Sequence, residues 1–158
     1  MNEFLADERA TIELADRFGA LLPESLAGWT VLLAGELGAG KSTFARALIR
    51  TLGHSGHVPS PTYTLVEPYQ VPRGSIYHID LYRVTSNEEL RYLGWNELDD
   101  GLRLVEWPER APELTEQADI QLSLAYEGAG RSARFVGLSD QGRQLTAALA
   151  DSNSERKD

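Results

Sequence analysis

The most specific chemistry in the chain lies in Gly35-Glu36-Leu37-Gly38-Ala39-Gly40-Lys41-Ser42, which fits G-x-x-x-x-G-K-[ST] in full. Backbone N–H groups that turn inward around phosphate oxygens need glycine at the strained positions. A helix starting at Lys41 adds the partial positive charge of its N-terminus. In such a loop Lys41 reaches the β- and γ-phosphates, and the Ser42 hydroxyl is placed for Mg²⁺. Thr43 belongs to the same first helical turn and is counted with the nucleotide-binding residues. A cradle alone hydrolyses nothing, because the metal needs a carboxylate and the attacking water needs orienting. Two apolar stretches end in acids: Ile76-Tyr77-His78-Ile79-Asp80 and Leu102-Arg103-Leu104-Val105-Glu106. In open α/β sheets ligands sit at the carboxyl ends of strands, where both acids fall. The spacing does not decide which is nearer the metal. His78 shares a strand face with Asp80 and reads more readily as a hydrogen-bonded core residue than as a catalyst. Ser60 and Thr62 lie in a loop bracketed by Pro59, Pro61 and Pro68. Their hydroxyls suit either a γ-phosphate-sensing switch or ordinary turn chemistry.

The elements that must position these groups follow from periodicity. A helix is expected over Glu8 to Leu22, then a buried strand over Trp29 to Ala34. The glycine-rich turn leads into a helix from Lys41 to about Leu52, stopped at Gly53. Tyr63 to Val66 should feed a strand, with further strands at Ser75 to Asp80 and Gly101 to Glu106. Ser86 and Glu89 have capping-box spacing for a helix running to about Leu93. Ile120, Leu122, Leu124 and Tyr126 alternate as a half-buried strand. A turn at Gly128-Ala129-Gly130 returns Arg131 to Leu138 antiparallel, and Ser139 to Ala150 closes as a helix despite Gly142. This order predicts an α/β P-loop NTPase fold: a mixed, mostly parallel sheet with antiparallel additions, flanked by helices. Residues 1–150 form one expected domain, and 151–158 an expected disordered tail.

Composition narrows the function classes. The 158 residues carry 24 acidic against 15 basic side chains, a formal net charge of −9, with Lys only at Lys41 and Lys157. Such a surface is poorly suited to gripping nucleic acid. There is no cysteine, which excludes disulfides, thiolate nucleophiles and thiolate metal sites. No apolar run reaches the ~18 residues of a membrane span, and Met1-Asn2-Glu3-Phe4 has no secretory character.

Taken in order, GELGAGKST, SPTYTLVEPY, HIDLYR and LVEWPER resemble the bacterial ATPase subunit family of the tRNA threonylcarbamoyladenosine machinery, the TsaE/YjeE family, over about residues 5 to 138. The resemblance implies a cytoplasmic ATPase, weak alone and stimulated by partners, using ATP and Mg²⁺. The implied partners are the threonylcarbamoyl transferase subunit and its dimerisation partner subunit, which modify adenosine 37 of tRNA. The link to tRNA is then indirect, and no membrane is involved. By motif, Leu37 to Ser42 bind ATP phosphates, with Gly35 opening the loop, and Ser42 binds Mg²⁺. Glu106 resembles the Mg²⁺-associated carboxylate, Asp80 the second acid near metal or water, and Thr62 the switch-type hydroxyl. Glu8, Thr11 and Arg131 match segments near the nucleotide base. Trp107 shapes either the site or a partner surface, with packing equally open. Leu90 to Leu98, with Tyr92 and Trp95, is a candidate partner surface. Arg83 is a candidate internal arginine finger. A GTPase-type switch and a small-molecule kinase are the alternatives. The guanine-reading N-K-x-D motif is absent, and Arg131 with Arg134 make only a thin lid.

Overall fold

The computed structural model describes residues 1–62 and 64–157. Tyr63 and Asp158 lie outside the described residues, and with them part of the expected Tyr63–Val66 strand entry and the end of the expected tail.

The run TVLLAG forms β2 (Thr30–Gly35), and GLRLVE forms β5 (Gly101–Glu106). These two lie side by side and parallel, with Leu33 opposite Glu106. Their side chains alternate between two apolar layers, which is why both read as continuous apolar stretches. Val31, Leu33, Leu102 and Leu104 face the layer of α1 (Glu8–Leu21), α2 (Lys41–Thr51) and α4 (Asp140–Arg156). Leu32 and Val105 face the opposite layer, which holds α3 (Asn87–Tyr92) and short 3-10 turns at Trp95–Leu98, Pro108–Arg110 and Pro112–Glu116. In the first layer Phe18, Phe44 and Phe135 meet with ring centroids 5.5–6.3 Å apart, an aromatic contact that ties α1 and α2 to the sheet.

The sheet adds β4 (Gly74–Asp80) beside β5 and β6 (Ile120–Glu127) beside β2, both parallel. β3 (Val66–Val71) and β7 (Gly130–Gly137) run antiparallel at the flanks, and β1 (Asn2–Leu5) pairs antiparallel with β7. The full order is β1-β7-β6-β2-β5-β4-β3, a mixed, mostly parallel sheet flanked by helices, as expected. Pro68 fits β3 because that strand is the sheet edge, where a missing N–H breaks no ladder.

One strand has no counterpart in the sequence reading, and two local expectations differ from the structure. The four residues of β1 have no periodicity of their own and gain strand structure only by pairing with β7. At the start of α3, Glu89 does reach back, but to the amide and hydroxyl of Thr85, while Ser86 makes no side-chain cap. Residues 151–156, expected to be a disordered tail, continue α4 to Arg156. No proline or glycine interrupts them, the Ser152 and Ser154 hydroxyls donate back to the carbonyls of Leu149 and Ala150, and Arg156 sits favourably at the negative end of the helix. Gly142, which weakened the expectation of this helix, is there for lack of room. A Cβ at that position would lie 1.8 Å from the Asp119 carbonyl oxygen.

Candidate functional site: a phosphate loop facing two buried acids

The loop after β2 crosses the carboxyl ends of β5 and β4, so the fold itself aims Lys41 and Ser42 at Glu106 and Asp80. Gly40 makes the turn into α2 with φ 112°, a conformation that suits glycine and almost no other residue. Ala39 is buried in the helical layer and its amide donates to the Glu36 carbonyl, whereas Leu37 at the loop tip is 83% exposed. Gly38, Gly40, Ser42 and Thr43 line one cleft together with Asp80 and Glu106.

Glu106 and Asp80 are paired across the β4–β5 register, which places both acids at one strand end. Both are buried, at 3% and 5% exposure. The Ser42 hydroxyl donates to Glu106 Oε1 at 3.1 Å, and the Glu106 Oε2 oxygen is 2.5 Å from His78 Nε2. Asp80 accepts from the Thr62 hydroxyl at 3.3 Å and from the Tyr82 amide at 2.9 Å. Thr62 in turn meets the Ser60 hydroxyl at 2.7 Å. The proline-bracketed loop therefore touches the second acid directly.

Lys41 is folded back onto its own loop, its ammonium donating to the carbonyls of Gly35 and Glu36. The same ammonium lies 4.1 Å from the centre of the Trp107 ring. Burial pushes the lysine below its usual basicity, while Glu106, Glu109 and Asp80 hold it up. Trp107 also meets Tyr82, with ring centroids 5.0 Å apart, and so roofs the lysine side of the cleft. Trp107 and Leu65 are the described non-glycine residues with left-handed backbone, at φ 60° and 69°. Trp107 directly follows Glu106, and the Leu65 carbonyl accepts from the Asp80 amide. The strain thus sits against both acids, as it often does at working sites.

A second cleft opens on the other side of Gly38 and Gly40, and Glu8, Thr11 and Arg131 line it. Arg131 donates to the Gly38 carbonyl at 3.2 Å and stacks on Tyr126, whose hydroxyl donates to the Leu37 carbonyl at 2.7 Å. The β6–β7 hairpin therefore braces the loop from outside. Sequence reasoning had no signal for the Tyr126 contact, which depends on where the hairpin lands. The Leu90–Leu98 stretch divides: Tyr92 is exposed, but Leu90 and Trp95 are buried and the Trp95 indole donates to Gln117. Arg83 is exposed and is not among the lining residues of either cleft.

The donor set suits a small, hard, oxygen-seeking cation. Such an ion keeps several waters and takes one or two protein oxygens plus substrate phosphates. Ser42 and Glu106 offer that arrangement, and among the described residues no group of three His, Asp or Glu side chains forms a fuller cage.

The model of the family described as threonylcarbamoyl adenosine biosynthesis protein TsaE matches residues 5–134. The chain belongs to the TsaE family. A Haemophilus influenzae relative, named tRNA threonylcarbamoyladenosine biosynthesis protein TsaE, is 32% identical over 155 residues, spanning 96% of this chain and 98% of its own. Relatives of the same name from Nostoc and Synechocystis are 41% and 39% identical, over 80% and 74% of this chain. The crystal structure of Bacillus subtilis YdiB superposes with a TM-score of 0.74 at 23% identity, covering 97% of this chain and 95% of that one, a likeness of fold. Membership makes this chain a TsaE-type protein of tRNA threonylcarbamoyladenosine biosynthesis, in keeping with the motifs quoted above. Among the described residues no helix is long and apolar enough to cross a membrane.

Proposed function

We propose that this TsaE-family chain is a cytoplasmic, single-domain ATPase that binds Mg²⁺·ATP in the loop cleft and hydrolyses it in support of tRNA adenosine-37 modification. The observation that carries the reading is the meeting of Ser42, Glu106, Asp80 and Thr62 at the mouth of the phosphate loop. Lys41 exchanges its bonds to the loop carbonyls for the β- and γ-phosphates, with the backbone amides of Gly38 to Ser42 completing the cradle. Ser42 and Glu106 would hold Mg²⁺, with Asp80 beside them. The ion, when bound, supplies positive charge to the transferring phosphoryl group. Asp80, oriented by Thr62, holds the water that attacks the γ-phosphorus. Glu8, Thr11 and Arg131 flank the adenosine end, next to the loop they share.

The partners proposed are the threonylcarbamoyl transferase subunit and its dimerisation partner, with tRNA reached only through them. One observation supports an incomplete site that partners finish, and another supports indirect contact with tRNA. Among the described residues lining the phosphate cleft there is no arginine, the residue that in many NTPases offsets transition-state charge. A net charge of −9 also argues against direct binding of tRNA by this chain. Nucleotide choice is tested by competition against a fluorescent ATP analogue. ATP is expected to displace it at lower concentration than GTP, and a GTP preference would overturn the adenosine assignment.

A further inference from the structure

Among the described residues at the site, His78 is the buried titratable side chain that the phosphate cradle, the metal position and the water position all leave unused. It is 1% exposed, on the same face of β4 as Asp80 and diagonally across the β4–β5 register from Glu106. Its Nε2 lies 2.5 Å from Glu106 Oε2, and its Nδ1 finds no hydrogen-bond partner among the described residues. A carboxylate oxygen accepts, so the tautomer with the proton on Nε2 is the one that fits this contact, and Nε2 donates. The two oxygens of Glu106 then have separate duties. Oε2 is pinned by the imidazole, and Oε1 is left facing the Ser42 hydroxyl at 3.1 Å. Without the imidazole the carboxylate is free to turn about its last torsion, which is broad and roughly two-fold.

The sequence alone favours a hydrogen-bonded core residue at His78 over a catalyst. Its depth agrees with that, and its partner adds a link to the site. His78 spends its donated bond on the acid that faces Ser42. Carboxylates that hold metals are commonly fixed by such outer hydrogen bonds, and losing one typically costs 10–100-fold in metal affinity or activity.

We propose that His78 is a positioning residue whose Nε2–H sets the Glu106 carboxylate in the orientation that Mg²⁺ at Ser42 requires. The inference rests on the reading of the cleft as a Mg²⁺·ATP site. Electron paramagnetic resonance of Mn²⁺ added with ATP reads metal occupancy directly. Fluorescent-nucleotide titration in EDTA reads the cradle without metal, and phosphate release gives kcat and KM. His78→Phe keeps the bulk and loses the donor. It is expected to weaken Mn²⁺ occupancy in the presence of ATP by about tenfold and to lower kcat by a similar factor. Metal-free ATP affinity and KM for ATP at saturating metal should stay within about twofold. His78→Gln returns an amide N–H near the Nε2 position and is expected to recover most of the metal affinity. His78→Asn is polar but too short to reach Oε2, so it should behave like His78→Phe and serves if the phenylalanine variant fails to fold.

Wild-type Mn²⁺ occupancy in His78→Phe or His78→Asn would overturn the proposal. So would equal losses in the Gln, Phe and Asn variants, because volume or folding rather than the donor would then be at stake. If the unsubstituted protein takes up no Mn²⁺ with ATP, the reading of the cleft itself falls. That outcome is distinct from one in which wild type binds and the variants bind equally well.

Discussion

Glu106→Gln is expected to leave ATP bound and to abolish phosphate release. The carboxylate is 3% exposed and accepts on both oxygens, from Ser42 on one and His78 on the other. A glutamine of the same shape has one accepting oxygen and one donating nitrogen. Whichever way it turns, one of those two donors faces an N–H instead of an acceptor. The negative charge is lost as well, and with it the anionic contact that the proposed Mg²⁺ site takes from Glu106. Removing a preorganised group of this kind costs on the order of 100-fold or more in turnover. The cradle of backbone amides and Lys41 does not include Glu106, so ATP affinity measured in EDTA should move by less than about threefold. Calorimetry for binding and a phosphate-release assay for turnover separate the two. A variant that released phosphate at the wild-type rate would remove Glu106 from the reaction.

Lys41→Ala should have the opposite signature, losing the nucleotide itself. The ammonium is 5% exposed and already held by two carbonyls of its own loop, so it is poised beside the cradle before any phosphate arrives. A charge-assisted hydrogen bond contributes roughly 1.5–3 kcal/mol, and in the proposed complex this donor would serve the β- and γ-phosphates. ATP affinity should therefore fall on the order of 100-fold. The fold should survive, because burial already disfavours the charged lysine. Thermal melting reads both effects. Wild type should melt at a higher temperature with Mg²⁺·ATP at about 100 times its Kd than without it, as mass action requires, while Lys41→Ala, with ATP then only near its own Kd, should keep just a small part of that shift. An unchanged ligand-induced shift in the variant would take Lys41 out of the phosphate site.

Much of this site is legible in the chain because its parts are local. The phosphate loop is contiguous, and its glycines, lysine and serine each have a stated reason to be where they are. The acids end apolar strands, and parallel strands deliver their ends to one edge of the sheet, so Asp80 and Glu106 could be expected together. The remainder depends on register and on distant chain. That His78 reaches Glu106 rather than a backbone carbonyl follows only from the one-to-one pairing of β4 with β5. That Tyr126 and Arg131 brace Leu37 and Gly38 follows from the β6–β7 hairpin running past the loop. The four residues of β1 are a strand because β7 is there to pair with them. Trp95, aromatic and near an exposed tyrosine, suits a partner surface as well as a core position. Its burial, with Gln117 accepting from the indole, places it in the layer behind the sheet.

The strained residues point the same way. Left-handed backbone at Leu65 and Trp107 costs of order 1–3 kcal/mol each, and both flank the acids. A loop and a roof held in uncommon conformations are the parts of this site that a bound partner could most readily shift, which joins the geometry to the proposal that partners complete it.

The central claim is therefore most directly tested by phosphate release from Mg²⁺·ATP, measured on the purified chain alone and again with the transferase subunit and its dimerisation partner together. Slow, Mg²⁺-dependent release by the chain alone and markedly faster release with both partners present is the expected result. Release as fast from the isolated chain as from the assembled complex, or none in either, would contradict it.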